Sequence, residues 1–312
     1  IPIGLIAILC VALYIPYYRL SVPKSFDALG FILVIVSSSS LLLALGQGHK
    51  WGWGTWKVIG LLAFGLITLV LFIWRELTAK HPLLNLKVFR NGRYTLNTAI
   101  ANILTISLYS GTLLTPVFLQ RVQSVSAMDT GLILLPASLA MALIMPIVGK
   151  LYSSVGPRIL MIIGIALLTV GTLMLSWLSL DISHTYVIVW MTVRNLGIAM
   201  VMMPSSNAGM ELVPRELSGH ASAIMNWTRN VFGSFAIAIF TTMLASRGTT
   251  HGTDLVMKGE TDPTFIANMA FTMSVNDVYL LATFIAAIAL PLALFNRKIK
   301  PLSDDAKAEE AA

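Results

Sequence analysis

Apolar runs of about twenty residues, broken by short polar segments, recur along the whole chain. A bilayer crossing takes about 20 residues, and at that length the pattern predicts nine helices over residues 1–18, 26–46, 55–74, 94–119, 127–148, 159–178, 185–207, 220–245 and 277–296. The plan is plainest in GLILLPASLAMALIMPIVGKLYSSVGPR, Gly131 to Arg158. One spanning run ends at Gly149, and a tight connection with Lys150 and Arg158 at its ends leads into the next run at Ile159. Gly149 and Gly156 suit the close turn at each helix end.

Composition then fixes the class. Hydrophobic residues make up 56% of the 312 and charged residues 11%, against about 25% charged in a soluble domain. The expected fold is therefore an all-α polytopic membrane protein, multi-pass in the cell membrane, with the lipid bilayer as its first partner. A net charge of +7 would suggest nucleic acid in a soluble chain. Here the cations sit in short loops between apolar runs, which marks topology and excludes a nucleic-acid partner. Cys10 is the single cysteine, so a disulfide framework and a Cys-based metal site are both excluded.

The distribution of cations gives orientation. Arg19, Lys24, Arg75, Lys80, Lys87, Arg90, Arg93, Lys150, Arg158, Arg215, Arg297, Lys298, Lys300 and Lys307 fall on one side. Lys50, Lys57, Arg121, Arg247 and Lys258 fall on the other. The fourteen-to-five bias places the first side in the cytoplasm. On that side residues 75–93 alternate cations with Leu83, Leu84, Leu86, Val88 and Phe89, as an amphipathic piece lying along the interface would. Residues 246–276 read as a long polar outer loop, and 297–312 as a cytoplasmic tail whose acidic end, SDDAKAEEAA, is disordered. Trp51, Trp53 and Trp56 form an aromatic belt.

Polar groups inside the spans are the candidate functional residues. Arg194 lies near the middle of the seventh span, where a cation costs about 2.5–3.5 kcal/mol on insertion scales. It either lines a wet path or ties helices together through carbonyls. Trp190, four residues earlier on the same face, could stack on it or on a cationic ligand. Ser222, Asn226, Arg229, Asn230 and Gly233 recur at helical spacing and make one polar stripe on the eighth span. Such a stripe lines a path and its gate, or serves as interhelical glue. Asn97 and Asn102 pose the same alternatives in the fourth span. Met191, Met200, Met202 and Met203 read first as packing, with an adaptable binding surface as the second reading.

Acidic groups are placed differently. Glu76, Glu211 and Glu216 fall at inner boundaries, Asp129 at an outer one and Asp277 at the start of the last span. An embedded enzyme would need H-E-x-x-H, a Ser/His pair at depth or paired aspartates in the membrane. His49, His81, His184, His220 and His251 all fall in loops or at helix ends, so enzymatic function is not expected. A ligand-binding domain outside the membrane would favour a receptor or scaffold, and no segment is large enough to be one.

The connection GKLYSSVGPR resembles the G-x-x-x-D-R-x-G-R-R/K hairpin signature of the major facilitator superfamily. Gly149, Gly156 and Arg158 match, and Ser153 stands in the place of the Asp. Residues 193–240 resemble a second run of that superfamily's fourteen-helix drug:proton antiporter branch (EmrB/QacA-like transporters). Arg194, Gly197, Pro204, Gly219, Ala221, Asn226, Arg229 and Gly233 match there, while Asn195 and Ser234 replace glycines. IPIGLIAI at the start and HPLLNLKVFRN at 81–91 resemble the branch's sixth-helix entry and its eighth-to-ninth connection.

The resemblance implies the C-terminal nine helices of a fourteen-helix fold, consistent with a chain that starts at Ile1 inside an apolar run. Residues 1–18 would end an N-terminal bundle, 26–74 supply two linker helices, and 94–296 form a six-helix bundle. The implied activity is export of small amphipathic substrates in exchange for protons by alternating access. No cofactor or metal is implied, and the partners would include the N-terminal helices of the same protein. The alternative is a non-transporting membrane receptor or scaffold, or a transporter of another solute class such as a metabolite or amino acid.

Overall fold

A computed structural model describes residues 2–14, 27–80, 82–211 and 213–295. The described residues form nine α-helices: α1 (Pro2–Tyr14), α2 (Ala28–Trp51), α3 (Trp56–Thr78), α4 (Gly92–Arg121), α5 (Ala127–Val155), α6 (Pro157–Met174), α7 (His184–Met210), α8 (Ser218–Met257) and α9 (Pro263–Leu294). Eight of them, α2 to α9, are long and apolar enough to cross a membrane. The remainder of the first expected span, Arg19 and Lys24, and the tail 297–312 lie outside the described residues.

The apolar periodicity places the helices, and their ends run past the expected limits. α5 continues through Lys150, Leu151 and Tyr152 to Val155, so most of the expected loop is helix. The break falls on Gly156, whose φ of +85° lies in the left-handed region glycine tolerates. Pro157 then opens α6 with its φ already set.

A larger correction concerns residues 246–276. They are not an outer loop: α8 runs to Met257 and α9 begins at Pro263. At about 1.5 Å per residue the 40 residues of α8 reach roughly 60 Å, twice the hydrocarbon thickness. The extra turns are held by pairing between the two helices. A Cβ on Gly248 would sit 3.6 Å from Ser274 Oγ, and one on Gly252 3.9 Å from Ala270. Asp277 accepts from His251 Nε2 at 2.9 Å and pairs with Arg247 Nε at 3.4 Å.

The core is carried by α4, α7, α8 and α9, with α6 closing one side. Phe118, Phe240, Val275 and Tyr279 pack at one level, and Ile100, Ile165, Leu168 and Val201 at another. α6 and α7 meet through small residues, since a Cβ on Gly197 would lie 2.5 Å from Gly164 O. The α2–α3 pair attaches to α8 through two indoles: Trp227 Nε1 donates to Ser38 Oγ at 2.8 Å, and Trp53 Nε1 to Thr242 Oγ1 at 2.9 Å. Trp53 is therefore committed to α8 as well as standing near the expected belt.

The 75–93 segment is likewise drawn into the protein. A short 3₁₀ helix, Leu86–Arg90, turns Val88 into a cluster with Phe72, Tyr94 and Ile224. Leu84 joins that cluster, and its N–H donates to Glu76 Oε2 at 2.9 Å.

Candidate functional site: two intramembrane arginines

Helical spacing explains where Arg194 points. Met191, Arg194, Ile198, Val201 and Ser205 share the buried face of α7. Opposite them, α4 presents Ser107, Ser110, Gly111 and Thr115, small side chains that leave room for a guanidinium at mid-helix. Arg194 is 1% exposed. Its Nη2 donates to the carbonyl oxygens of Ser107 and Leu108 and lies 3.5 Å from Ser110 Oγ. Nη1 donates to Asn195 Oδ1 at 3.3 Å, so the residue that departs from the superfamily glycine pattern supplies an acceptor. Gly111 and Gly171 wall the pocket: a Cβ on the first would lie 2.6 Å from Arg194 Cζ, and one on the second 2.8 Å from Arg194 N.

Among the described residues no carboxylate forms an ion pair with Arg194. The guanidinium is held by backbone and hydroxyl dipoles inside a sealed contact between α4 and α7. One turn away, Thr115 Oγ1 lies 2.5 Å from Tyr279 OH and 3.4 Å from Met191 Sδ, which draws α9 into the same polar column. Met191 is thus packed inside, while Met202 is half-buried and packs against a second cluster. Trp190 does not stack on Arg194. Its ring meets Tyr186 edge-on at 6.2 Å, and the cation–π pair among the described residues is Arg121 over Phe271 at 4.3 Å.

Arg229 is situated differently. It is half-buried on α8, with Nη2 donating to Ser206 Oγ of α7 at 2.6 Å and lying 3.7 Å from Met225 Sδ. Its Nε is enclosed without a partner among the described residues. The polar stripe on α8 divides around it. Ser222, Asn226 and Asn230 are exposed on the protein surface, while Gly233 is buried against Tyr109 of α4. Asn230 Nδ2 donates to the backbone carbonyl oxygen of Asn226 at 3.0 Å within the helix, which uses one donor of the Asn230 amide. Asn102 is 6% exposed on α4, with its Oδ1 unpartnered among the described residues. Asn97 and Met225 both pack against Gly209 of α7: a Cβ there would lie 3.3 Å from Asn97 Cβ and 3.2 Å from Met225 Cε.

The hairpin residues close the same end of α7. Gly149 faces Met203, whose Cε would be 3.1 Å from a Cβ there. Tyr152 OH donates to Glu211 Oε2 at 3.1 Å, fastening the end of α5 to the C-cap of α7. Arg158 is half-buried at the start of α6 and makes no ion pair among the described residues. The Tyr152–Glu211 link escapes sequence reasoning because the two residues are 59 positions apart.

The Asp27–Arg75 pair, 48 positions apart, carries no sequence signal either. Asp27 caps α2 by accepting from Gly30 N at 3.0 Å, and Arg75 Nε reaches its Oδ2 at 3.2 Å. Burial raises the pKa of the Asp27 carboxyl, but these donors outweigh it and hold the group below its ordinary value.

Comparison with known proteins extends this picture. Residues 2–238 match the model of the Major Facilitator Superfamily. An uncharacterised MFS-type transporter of Bacillus subtilis, YhcA, is 30% identical over 96% of this chain and 63% of its own length. The lincomycin resistance protein LmrB of Listeria monocytogenes is 30% identical over 88% of this chain and 57% of its own. The multidrug resistance protein Stp of Mycobacterium tuberculosis is 32% identical over 79% and 46%. The chain thus spans about half to five-eighths of the length of these relatives.

Proposed function

Because this chain belongs to the major facilitator superfamily, a family of non-enzymatic membrane carriers, we propose that it serves export of small amphipathic compounds in exchange for protons. The observation that carries the reading is the exposed row Ser222, Asn226 and Asn230 on α8, with Arg229 at its edge. Amide and guanidinium donors on a spanning helix are costly against hydrocarbon, so this face belongs against water, substrate or other helices. The relatives named for lincomycin and multidrug resistance support drugs as the substrate class.

In this reading the bundle rocks around a central path by alternating access. Arg229, with Nε unspent and Ser206 as its one hydroxyl partner, acts at the gate where α7 and α8 meet. The hairpin at Gly156 fixes α5 and α6 as one rigid arm, and Arg158 makes contacts that form in only one of the two states. Arg194 holds α4 and α7 together through both.

The test is efflux of a cationic amphipathic dye from cells expressing the protein from its complete gene. Efflux should exceed the empty-vector level, collapse when a protonophore removes the proton gradient, and fall on Arg229→Ala. Dye retention equal to empty vector would refute export. Efflux indifferent to the protonophore would refute proton exchange alone.

A further inference from the structure

A second site lies away from the polar face, between α3, the 3₁₀ helix and α8. A cavity of about 450 Å³ opens there, lined by Leu69, Phe72, Leu86, Phe89, Trp227 and Phe232 among others. Its walls carry two polar handles, and both are already spent. Trp227 Nε1 donates to Ser38 Oγ, and Thr228 Oγ1 donates back to Met225 O at 3.0 Å. What faces the cavity is carbon, which excludes a ligand that needs hydrogen bonds inside it.

Position and charge narrow the occupant further. The rim residues Ile73, Phe89 and Phe232 are about 40% exposed, so the cavity opens sideways to where lipid lies. From Ile224 to Phe232 it follows about 12 Å of α8, close to the roughly 15 Å of one leaflet's hydrocarbon. Side chains three apart eclipse on a 3₁₀ helix, so Leu86 and Phe89 share the face lining the cavity. Lys87 and Arg90 share the next face and are exposed, while Val88 points into the core. Asp27 is bound to Arg75 and Glu76 is 4% exposed, so neither of these two acids cancels those cations at the surface. Apolar depth with cations at the mouth is the arrangement that favours anionic lipid and repels a cationic drug.

We propose that this cavity holds one acyl chain of an anionic phospholipid, with the headgroup phosphate met by Lys87 and Arg90. The site joins the α2–α3 pair to the helix that carries Arg229, so the lipid would act as a wedge between them.

Trp227 stands in the wall and reports occupancy. The purified protein is placed in nanodiscs containing lipid with brominated acyl chains, and the Trp227 signal is isolated as the difference from a Trp227→Phe variant. Brominated phosphatidylglycerol should quench that signal with on the order of ten-fold preference over brominated phosphatidylcholine, given two basic residues near the headgroup. Lys87→Gln with Arg90→Gln should abolish the preference, and Lys150→Gln, an exposed cation elsewhere at the same end, should leave it intact. Equal quenching by both lipids, or a preference untouched by the double substitution, would overturn the assignment. So would displacement of the brominated lipid by a cationic dye at lower concentration than by phosphatidylglycerol.

Discussion

The sealed setting of Arg194 makes a specific energetic claim that a double-mutant cycle can test. Gly111→Ala places a methyl 2.6 Å from Cζ and Nη1 of a guanidinium that is pinned by two carbonyls and cannot swing away. Overpacking of this kind costs about 1–3 kcal/mol. In an Arg194→Ala background the obstacle is gone and the methyl enters vacated space. There Ala should be neutral or better, since it exceeds Gly in helix propensity by up to about 1 kcal/mol. The two substitutions should therefore couple by roughly 1–4 kcal/mol, above the 0.3–0.5 kcal/mol within which independent sites add. Unfolding in mixed micelles by titration with sodium dodecyl sulfate, followed by Trp fluorescence, gives the four free energies. If Gly111→Ala costs the same in both backgrounds, the guanidinium does not occupy this pocket and its role as a tie between α4 and α7 falls.

Other outcomes follow from the same geometry. Arg229→Lys should lose dye efflux nearly as fully as Arg229→Ala, because a single ammonium does not reproduce the forked donor that reaches Ser206 with Nε to spare; retained efflux in the Lys variant would contradict a gating role. Asp27→Asn keeps the cap on α2 but removes the ion pair with the partly exposed Arg75, so it should cost roughly 1 kcal/mol at neutral pH. The depressed pKa of Asp27 means its stabilisation is present above the ordinary value near 3.8 and lost as pH falls through the lower folded value. The Asn variant should therefore show a flatter stability profile in that acid range, measured by the same micelle titration. In a Cys10→Ser background, Ser153→Cys should react with an impermeant maleimide only from the cytoplasmic side and Thr253→Cys only from outside; labelling of both from one face would overturn the orientation.

Hydropathy made the spans legible because the bilayer imposes one length and one chemistry on each. It failed at residues 246–276, where α8 and α9 leave the hydrocarbon and are held by each other. Gly248, Gly252 and His251 read as loop residues singly, and their helical state depends on Ala270, Ser274 and Asp277 on the opposite helix. Arg194 was legible as an intramembrane cation, but its partners were not. They are backbone carbonyls of α4, and every residue type carries a carbonyl. Trp190 shares the helix face of Arg194 by spacing, yet its ring direction sends it to Tyr186. The stripe on α8 was correctly periodic, while its division into an exposed Asn226–Asn230 side and an Arg229 turned to Ser206 needed the neighbouring helix.

The central claim is that the Asn226 and Asn230 face of α8 borders a water-filled path. Single cysteines at Asn226 and Asn230, in the Cys10→Ser background of the protein expressed from its complete gene, test it most directly. A third at Phe284, 63% exposed on the apolar face of α9, serves as the lipid-facing reference. An impermeant, charged thiol reagent should modify Asn226→Cys and Asn230→Cys at rates far above Phe284→Cys, and a transported dye should slow both. Rates at the two α8 positions as low as at Phe284→Cys would place that face against lipid or packed helix and contradict the account.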